Sequence, residues 1–308
     1  MNTDKLDILL KEADKLGCKV VRDAKLKKYT TFKTGGAVPC LFELDSEEKC
    51  VKLISTAVRL GLPYYILGNG SNIIADDRGV DAVVFRLNGG KISCENGVIS
   101  SFAGVKLTAL CNFALDNGLG GLEFAYGIPG SVGGAVYMNA GAYGGEIKDV
   151  ILSVRAMDKE GNIHVFGRDE LGLSYRKSGF MDNGHIILSA DFALSDSDRV
   201  YIKLKMEELM EKRRSKQPLE YPSAGSTFKR PEGSFASLLI EQCGLKGFSV
   251  GGAQVSEKHS GFVINKDNAK FDDIIELMRA VRKKVKDETG YTLECEPVII
   301  SDREIDWE

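Results

Sequence analysis

Apolar positions recur along this chain with two distinct periods. In residues 46–60 (SEEKCVKLISTAVRL), Val51, Ile54 and Val58 fall on one helical stripe and Ser46 stands where an N-cap belongs. Glu47 and Glu48 suit the positive end of such a helix, and Gly61 and Pro63 stop it. The run PYYIL then reads as a short strand, followed by GNGSNIIADDRGV and a second strand around DAVVFRL. Residues 97–103 predict another strand and 107–117 a helix ending at Asn117-Gly118. VILSVRAM-DKEG-NIHVF predicts a β-hairpin, and GHIILSADFAL a further strand. From about residue 200 the pattern turns to helices over 200–214, over 234–243 behind Ser234, and over 271–289 ending at Gly290. Strand-like GFVIN and TLECEPVII interleave with them, and alternation in the latter puts Glu294 and Glu296 on one face. The SDSD run places a boundary near 196–200, between a glycine-rich, strand-rich part and a helical part, so two α+β regions are expected.

Composition narrows the class. A length of 308 residues suggests about two domains. With 41 Lys+Arg against 44 Asp+Glu, a net charge of −3 offers no footprint for nucleic acid and no polybasic patch for a membrane surface. No run of about 20 apolar residues occurs, and the charged segment from Met1 to Gly17 leaves no signal-peptide core. A cytoplasmic protein with no obligate protein partner is expected. Seven cysteines (Cys18, Cys40, Cys50, Cys94, Cys111, Cys243 and Cys295), odd in number and without a C-x-x-C pair, read as reduced thiols. His164, His185 and His259 are scattered and lack ligand spacing, so no metal site is expected.

Glycine is the outlier, at 34 residues. Ten glycines fall between Gly118 and Gly145, in GLGGLEFAYGIPGSVGGAVYMNAGAYGGE. Interior glycines cost helices and strands about 0.5–1 kcal/mol each relative to alanine. The density makes better sense where backbone approaches a ligand closely and aims N–H groups at it, phosphates being the usual ligand. A second site, Gly68-Asn69-Gly70-Ser71-Asn72, follows the strand PYYIL directly. It lacks the third glycine and the helix of a Rossmann turn, and no P-loop motif is present, which leaves a short polar turn suited to a diphosphate. Two such loops favour a large dinucleotide.

TTFKTGG at 30–36, LGNGSNI at 67–73, EFAYGIPGSVGGAVYMNAGAYGGE at 123–146, YRKSGF at 175–180, SAGSTFKRP at 223–231 and GGAQVSEKHSGFVIN at 251–265 occur in this order. Together they resemble the UDP-N-acetylenolpyruvoylglucosamine reductase family, over about residues 29–298. The resemblance implies an α+β fold, with an FAD-binding region of the vanillyl-alcohol-oxidase type followed by a smaller α+β substrate-binding domain. In domain terms it implies an N-terminal helical segment at 1–29, an FAD-binding domain at 30–196 in two subdomains (about 30–86 and 87–196), and a C-terminal domain at 197–308. It implies non-covalent FAD held by Gly68, Asn69, Gly70, Ser71, Asn72, Tyr126, Gly130, Ser131, Gly133, Gly134, Ala135, Asn139 and Gly141. NADPH is the implied co-substrate and UDP-N-acetylglucosamine enolpyruvate the implied substrate. Arg176, Ser226 and Glu296 carry over as catalytic, with Ser226 the proton donor, and Tyr175, Arg214 and Lys229 as substrate contacts. The glutamate motif departs from the family pattern, since Cys295 precedes Glu296 and Pro297 follows it. The short interval between Arg176 and Ser226 resembles the class lacking an inserted substrate-clamping tyrosine loop. Two alternatives remain at this point: another FAD-linked oxidoreductase of the same superfamily acting on an alcohol or sugar, and a catalytically silent flavin- or nucleotide-binding protein.

Overall fold

Ser46 caps a helix over Glu47–Leu60 in the computed structural model, which describes residues 2–307. Its side chain accepts from Lys49 N, and Gly61 closes the helix in the left-handed conformation at φ +64°. The buried residues are Cys50, Leu53, Ile54, Thr56 and Ala57; of the anticipated stripe Ile54 is buried, while Val51 and Val58 flank the buried face half-buried.

The chain divides into two compact units that interleave in sequence. The first comprises residues up to Arg22, Pro39–Asn69 and Ala82–Arg213; the second comprises Asp23–Val38, Gly70–Asp81 and the chain from Arg214 onward. The division falls at 213/214 rather than near 196–200, because the helix Arg199–Lys216 begins there and buries Ile202 and Met206 in the first core. The segment 1–29 is helical only over Thr3–Lys15, continuing as the strand Lys19–Lys25 and a single 3-10 turn.

In the first unit, strand Val83–Leu87 runs between Ala37–Leu44 and Tyr64–Leu67, parallel to both. Its residues are buried on both faces, as parallel strands require. A five-stranded antiparallel sheet follows, in the order Ile163–Gly167, Ile151–Met157, Ile186–Ala193, Val98–Phe102, Ile92–Glu95. Its first pair is the anticipated hairpin, with Val154 opposite Phe166.

In the second unit, strands Ser223–Ser226, Phe262–Asn265, Ala253–Val255 and Ser249–Val250 form an antiparallel sheet in that order. Helix Phe271–Thr289, ended by Gly290 at φ +78°, buries Ile274, Met278, Val281 and Val285 with it. Strand Ile73–Ala75 pairs in parallel with Val298–Ile300. Only that end of TLECEPVII is strand: Cys295 makes one bridge to Phe228, and Pro297 has no N–H to extend a ladder. Among the described residues no helix is long and apolar enough to cross a membrane.

The buried carboxylate of Asp76 ties this second unit together. It accepts from Arg78 N (3.0 Å), Ser301 Oγ (2.9 Å) and Arg303 Nε (2.7 Å). Burial pushes its pKa up, but these donors outweigh burial and hold it below the ordinary value. A depressed folded-state pKa stabilises above the unfolded carboxylate's range and loses that contribution as pH falls through the folded value. Asp76→Asn is expected to lower unfolding free energy at pH 7 by about 2 kcal/mol. Urea midpoints at pH 7, 5 and 3 should show wild type converging on the variant at the acidic end.

Candidate active site

The two glycine-rich loops meet in the first unit. A Cβ on Gly68 would collide with Ser131 Oγ, and Asn69 Nδ2 donates to Pro129 O at 2.6 Å. Ser131 is buried and caps the short helix Val132–Tyr137 through Gly134 N. The glycine-dense segment thus contains regular structure that glycine count argued against, and packing explains it. A Cβ on Gly133 would stand 2.8 Å from Ala103 Cβ and 3.3 Å from Ala103 O, so this glycine answers to a protein neighbour. Gly130 faces Leu107, Ala135 lies in the core, and Tyr126 packs half-buried against that core.

Asn139, expected at the cofactor, organises the surrounding protein with its side chain. It is fully buried at φ +41°, its Nδ2 donates to Glu146 Oε2 (3.0 Å) and Ser174 O (2.9 Å), and its Oδ1 accepts from Lys148 N (2.9 Å). Gly141 and Ala142 pair with Gly145 and Glu146, and a Cβ on Gly141 would strike Gly145 O. Glu146 sits below the ordinary carboxylate range, chiefly through its hydrogen bond with Lys148, aided by Asn139 and the nearby Arg176.

Arg176 occupies the tip of a tight turn closed by mutual backbone hydrogen bonds between Ser174 and Lys177. Its φ of +53° is a conformation that glycine or asparagine adopts more cheaply. Its Nη2 donates to Gly141 O (3.2 Å), and its guanidinium lies 5.1 Å from the Tyr175 ring centroid. Two later residues anchor the turn: Ser178 donates to Tyr137 O at 2.7 Å, and Phe180 is buried. The motif YRKSGF is therefore an exposed tip on a fixed base.

Ser226, Glu296 and Asn72 come together in the second unit. Gly225 at φ +79° lies in the irregular pairing between Ser223 and Ser226, a bulge that re-aims the side chain that follows. The neighbouring Thr227 is buried: its N–H donates to Gly261 O, its Oγ1 accepts from Val263 N, and its carbonyl accepts from Glu296 N at 3.0 Å. Asn72 Nδ2 donates to Glu296 O at 3.3 Å. Gly70 and Ser71 belong to this unit with Asn72, and Gly70 packs on Tyr29 O with no room for a Cβ. Glu294 is turned outward, 71% exposed and ion-paired with Lys229 at 3.2 Å. Cys295 between the two glutamates is pushed up to about 12 by burial, so its thiol is not ionised at neutral pH.

Sequence reasoning missed Arg213 and favoured its exposed neighbour Arg214, whose carbonyl accepts from Lys258 Nζ. Arg213 packs against Gly127, where a Cβ would come within 2.9 Å of its Cδ. Its Nε is buried without a hydrogen-bond partner, and burial pulls its pKa down. Helical phase is the signal that marks it: the stripe of Ile202, Met206 and Leu209 along Arg199–Lys216 continues to 213 and not to 214.

An orphaned buried guanidinium nitrogen beside a side-chain-free backbone, next to two meeting glycine loops, fits a large anionic cofactor. Residues 38–167 match the family model described as FAD binding domain, and the protein is accordingly an FAD-binding oxidoreductase of the α+β, vanillyl-alcohol-oxidase type. Residues 217–300 match the UDP-N-acetylenolpyruvoylglucosamine reductase, C-terminal domain. The UDP-N-acetylenolpyruvoylglucosamine reductase of Clostridium botulinum (strain 657 / Type Ba4) is 49% identical over 284 residues, 92% of this chain and 93% of its own. That of Clostridium novyi (strain NT) is 49% identical over 278 residues, 90% and 91% of the two chains. The crystal structure of the Thermus caldophilus enzyme superposes with a TM-score of 0.77 at 36% identity, covering 92% of this chain and 99% of that one. An alkyldihydroxyacetonephosphate synthase shares the fold over 62% of this chain and 40% of its own (TM-score 0.50, 15% identity). The chain belongs to the UDP-N-acetylenolpyruvoylglucosamine reductase family.

The Gly133–Ala103 contact generates a test that separates packing from cofactor contact. Gly133→Ala should cost about 1–3 kcal/mol through overpacking. In an Ala103→Gly background the same substitution should cost measurably less, as read by a double-mutant cycle on denaturant midpoints. Equal penalties in both backgrounds would mean that the glycine answers to something other than Ala103.

Proposed function

We propose that this reductase adds hydrogen across the enolpyruvyl double bond of UDP-N-acetylglucosamine enolpyruvate, giving UDP-N-acetylmuramate for peptidoglycan precursor synthesis in the cytoplasm, with NADPH as electron donor. The observation that carries the reading is the backbone bond from Glu296 to Thr227, which sets Ser226 and Glu296 on neighbouring segments in their motif contexts. Bound FAD would supply hydride-transfer chemistry, and Gly68, Asn69, Ser131 and Arg213 are the first-unit residues that would hold it.

Within this scheme Arg176 receives the substrate carboxylate. Its guanidinium, steadied by Gly141 O and the Tyr175 ring, supplies a planar fork for that group and for the negative charge developing beside it. Hydride goes to the terminal carbon, and Ser226 Oγ–H delivers the proton to the carbon bearing the carboxylate. A serine is a weak acid, but the carbanion is a far stronger base. Glu296 contributes a hydrogen bond or proton to the same charge, while the outward Glu294–Lys229 pair leaves Glu294 as a surface residue. Tyr175, Arg214 and Lys229 are the side chains assigned to the rest of the substrate. NADPH and substrate take turns at one site.

The roles separate in the two half-reactions. Ser226→Ala should retain FAD and be reduced by NADPH at the wild-type rate, while reoxidation by the enolpyruvyl substrate falls on the order of 10²–10⁴-fold. Ser226→Cys should recover part of that loss. Stopped-flow flavin absorbance decides it: near-normal reoxidation of Ser226→Ala removes serine from the role.

Arg176→Lys should likewise slow reoxidation by substrate more than reduction by NADPH, since an ammonium cannot reproduce the fork. Equal damage to both half-reactions would assign Arg176 to nicotinamide binding or to structure.

A further inference from the structure

Away from Ser226, the second unit contains an open groove of about 600 Å³ whose walls include Lys27, Lys33, Lys266, Lys270, Tyr221 and Asp77. That volume is typical of small-molecule sites. It lies at the far end of the strand Ser223–Ser226: Tyr221 and Pro222 lead into that strand, while Ser226 pairs with Phe262 at its other end. At about 3.3 Å per residue, some 10 Å of strand separates the groove from Ser226.

The charge in this groove is unbalanced by construction. Among the described residues, Lys27, Lys33 and Lys270 form no ion pair, although the chain as a whole carries more acidic than basic groups. The carboxylate of Asp77 cannot swing over to neutralise them. Its Oδ1 accepts from Gly35 N at 3.0 Å and its Oδ2 from Phe271 N at 2.6 Å, so both oxygens are committed to backbone. Asp267, the other acid on the wall, accepts from the carboxamide of Asn268. Lys266 is held against Tyr221, with Nζ 2.6 Å from the hydroxyl and 4.3 Å from the ring centroid. Lys33 and Asn268 both adopt left-handed backbone, at φ +64° and +49°. Neither is glycine, and such conformations persist where the surroundings impose them.

We propose that this groove binds a small-molecule oligophosphate, the phosphate chain lying among Lys27, Lys33, Lys266 and Lys270. Ammonium groups act as point-charge partners for phosphate. Four of them spread round one groove suit a chain of phosphates better than a single one. The site does not depend on the reductase reaction, and its ligand leaves Ser226 and Glu296 untouched.

The test uses the FAD-loaded full chain with two probes, inorganic tripolyphosphate and ATP, followed by backbone amide NMR shifts. Both probes should give saturable shifts at Asn268, Ala269 and Lys270, weakened by added salt. Lys27→Glu/Lys270→Glu should bind on the order of tenfold more weakly while retaining its flavin. Should that variant not fold, Lys27→Gln/Lys270→Gln serves the same purpose. Equal affinity for the two probes assigns recognition to the phosphate chain, and tighter ATP adds the nucleoside to it; both sustain the site. The proposal is overturned by the absence of saturable shifts at 268–270 up to about 10 mM probe. It is equally overturned by shifts confined to Ser226 and Thr227, or by undiminished binding in the variants.

Discussion

The short helix Val132–Tyr137 lies so close to the chain at Ala103 that position 133 has no room for a single methyl group. Much of the first unit's site hangs on that approach. The cap of the helix, Ser131, is the residue against which Gly68 packs, and its last residue offers the carbonyl that anchors Ser178. Just beyond it, Asn139 holds both Glu146 and the carbonyl of Ser174, which fixes the base of the turn carrying Arg176. A shift of the helix would pass through these bonds to the guanidinium. Rotamer-level positioning of a functional side chain needs such support on every side.

The second unit reaches a comparable result through a threonine with no chemistry of its own. Thr227 joins three segments, those of Gly261, Val263 and Glu296, and is buried in doing so. The backbone of Ser226 beside it is thereby held, and the left-handed glycine before it sits in the irregular stretch of the strand. Ser226 stays partly open and its buried neighbour carries the structure.

Elements with strong local signals were legible in the sequence. The helix Glu47–Leu60 with its serine cap and glycine stop, the hairpin around Asp158–Gly161 and the helix Phe271–Thr289 each carry their own periodicity and punctuation. Motif order revealed the family. What stayed hidden was non-local. No pattern in residues 23–38 or 70–81 says that they fold with the C-terminal third. Glycine density does not distinguish a backbone clearing space for a ligand from one clearing space for Ala103, and both call for the same residue. Arg213 and Arg214 are the same residue type and adjacent in sequence, and only the phase of Ile202, Met206 and Leu209 along their helix separates the half-buried one from the exposed one. Glu294 and Glu296 were distinguishable by motif register alone, and the surface ion pair of Glu294 now supplies a physical difference.

The left-handed backbone of Arg176 has a consequence for how this family member can change. A glycine there would suit the turn better and relieve local strain on the order of 1 kcal/mol or more. Selection for thermal tolerance alone therefore points away from arginine at this position, and the proposed grip on the substrate carboxylate is what would keep it there. On the proposed role of Arg176, durability and activity pull in opposite directions at this turn.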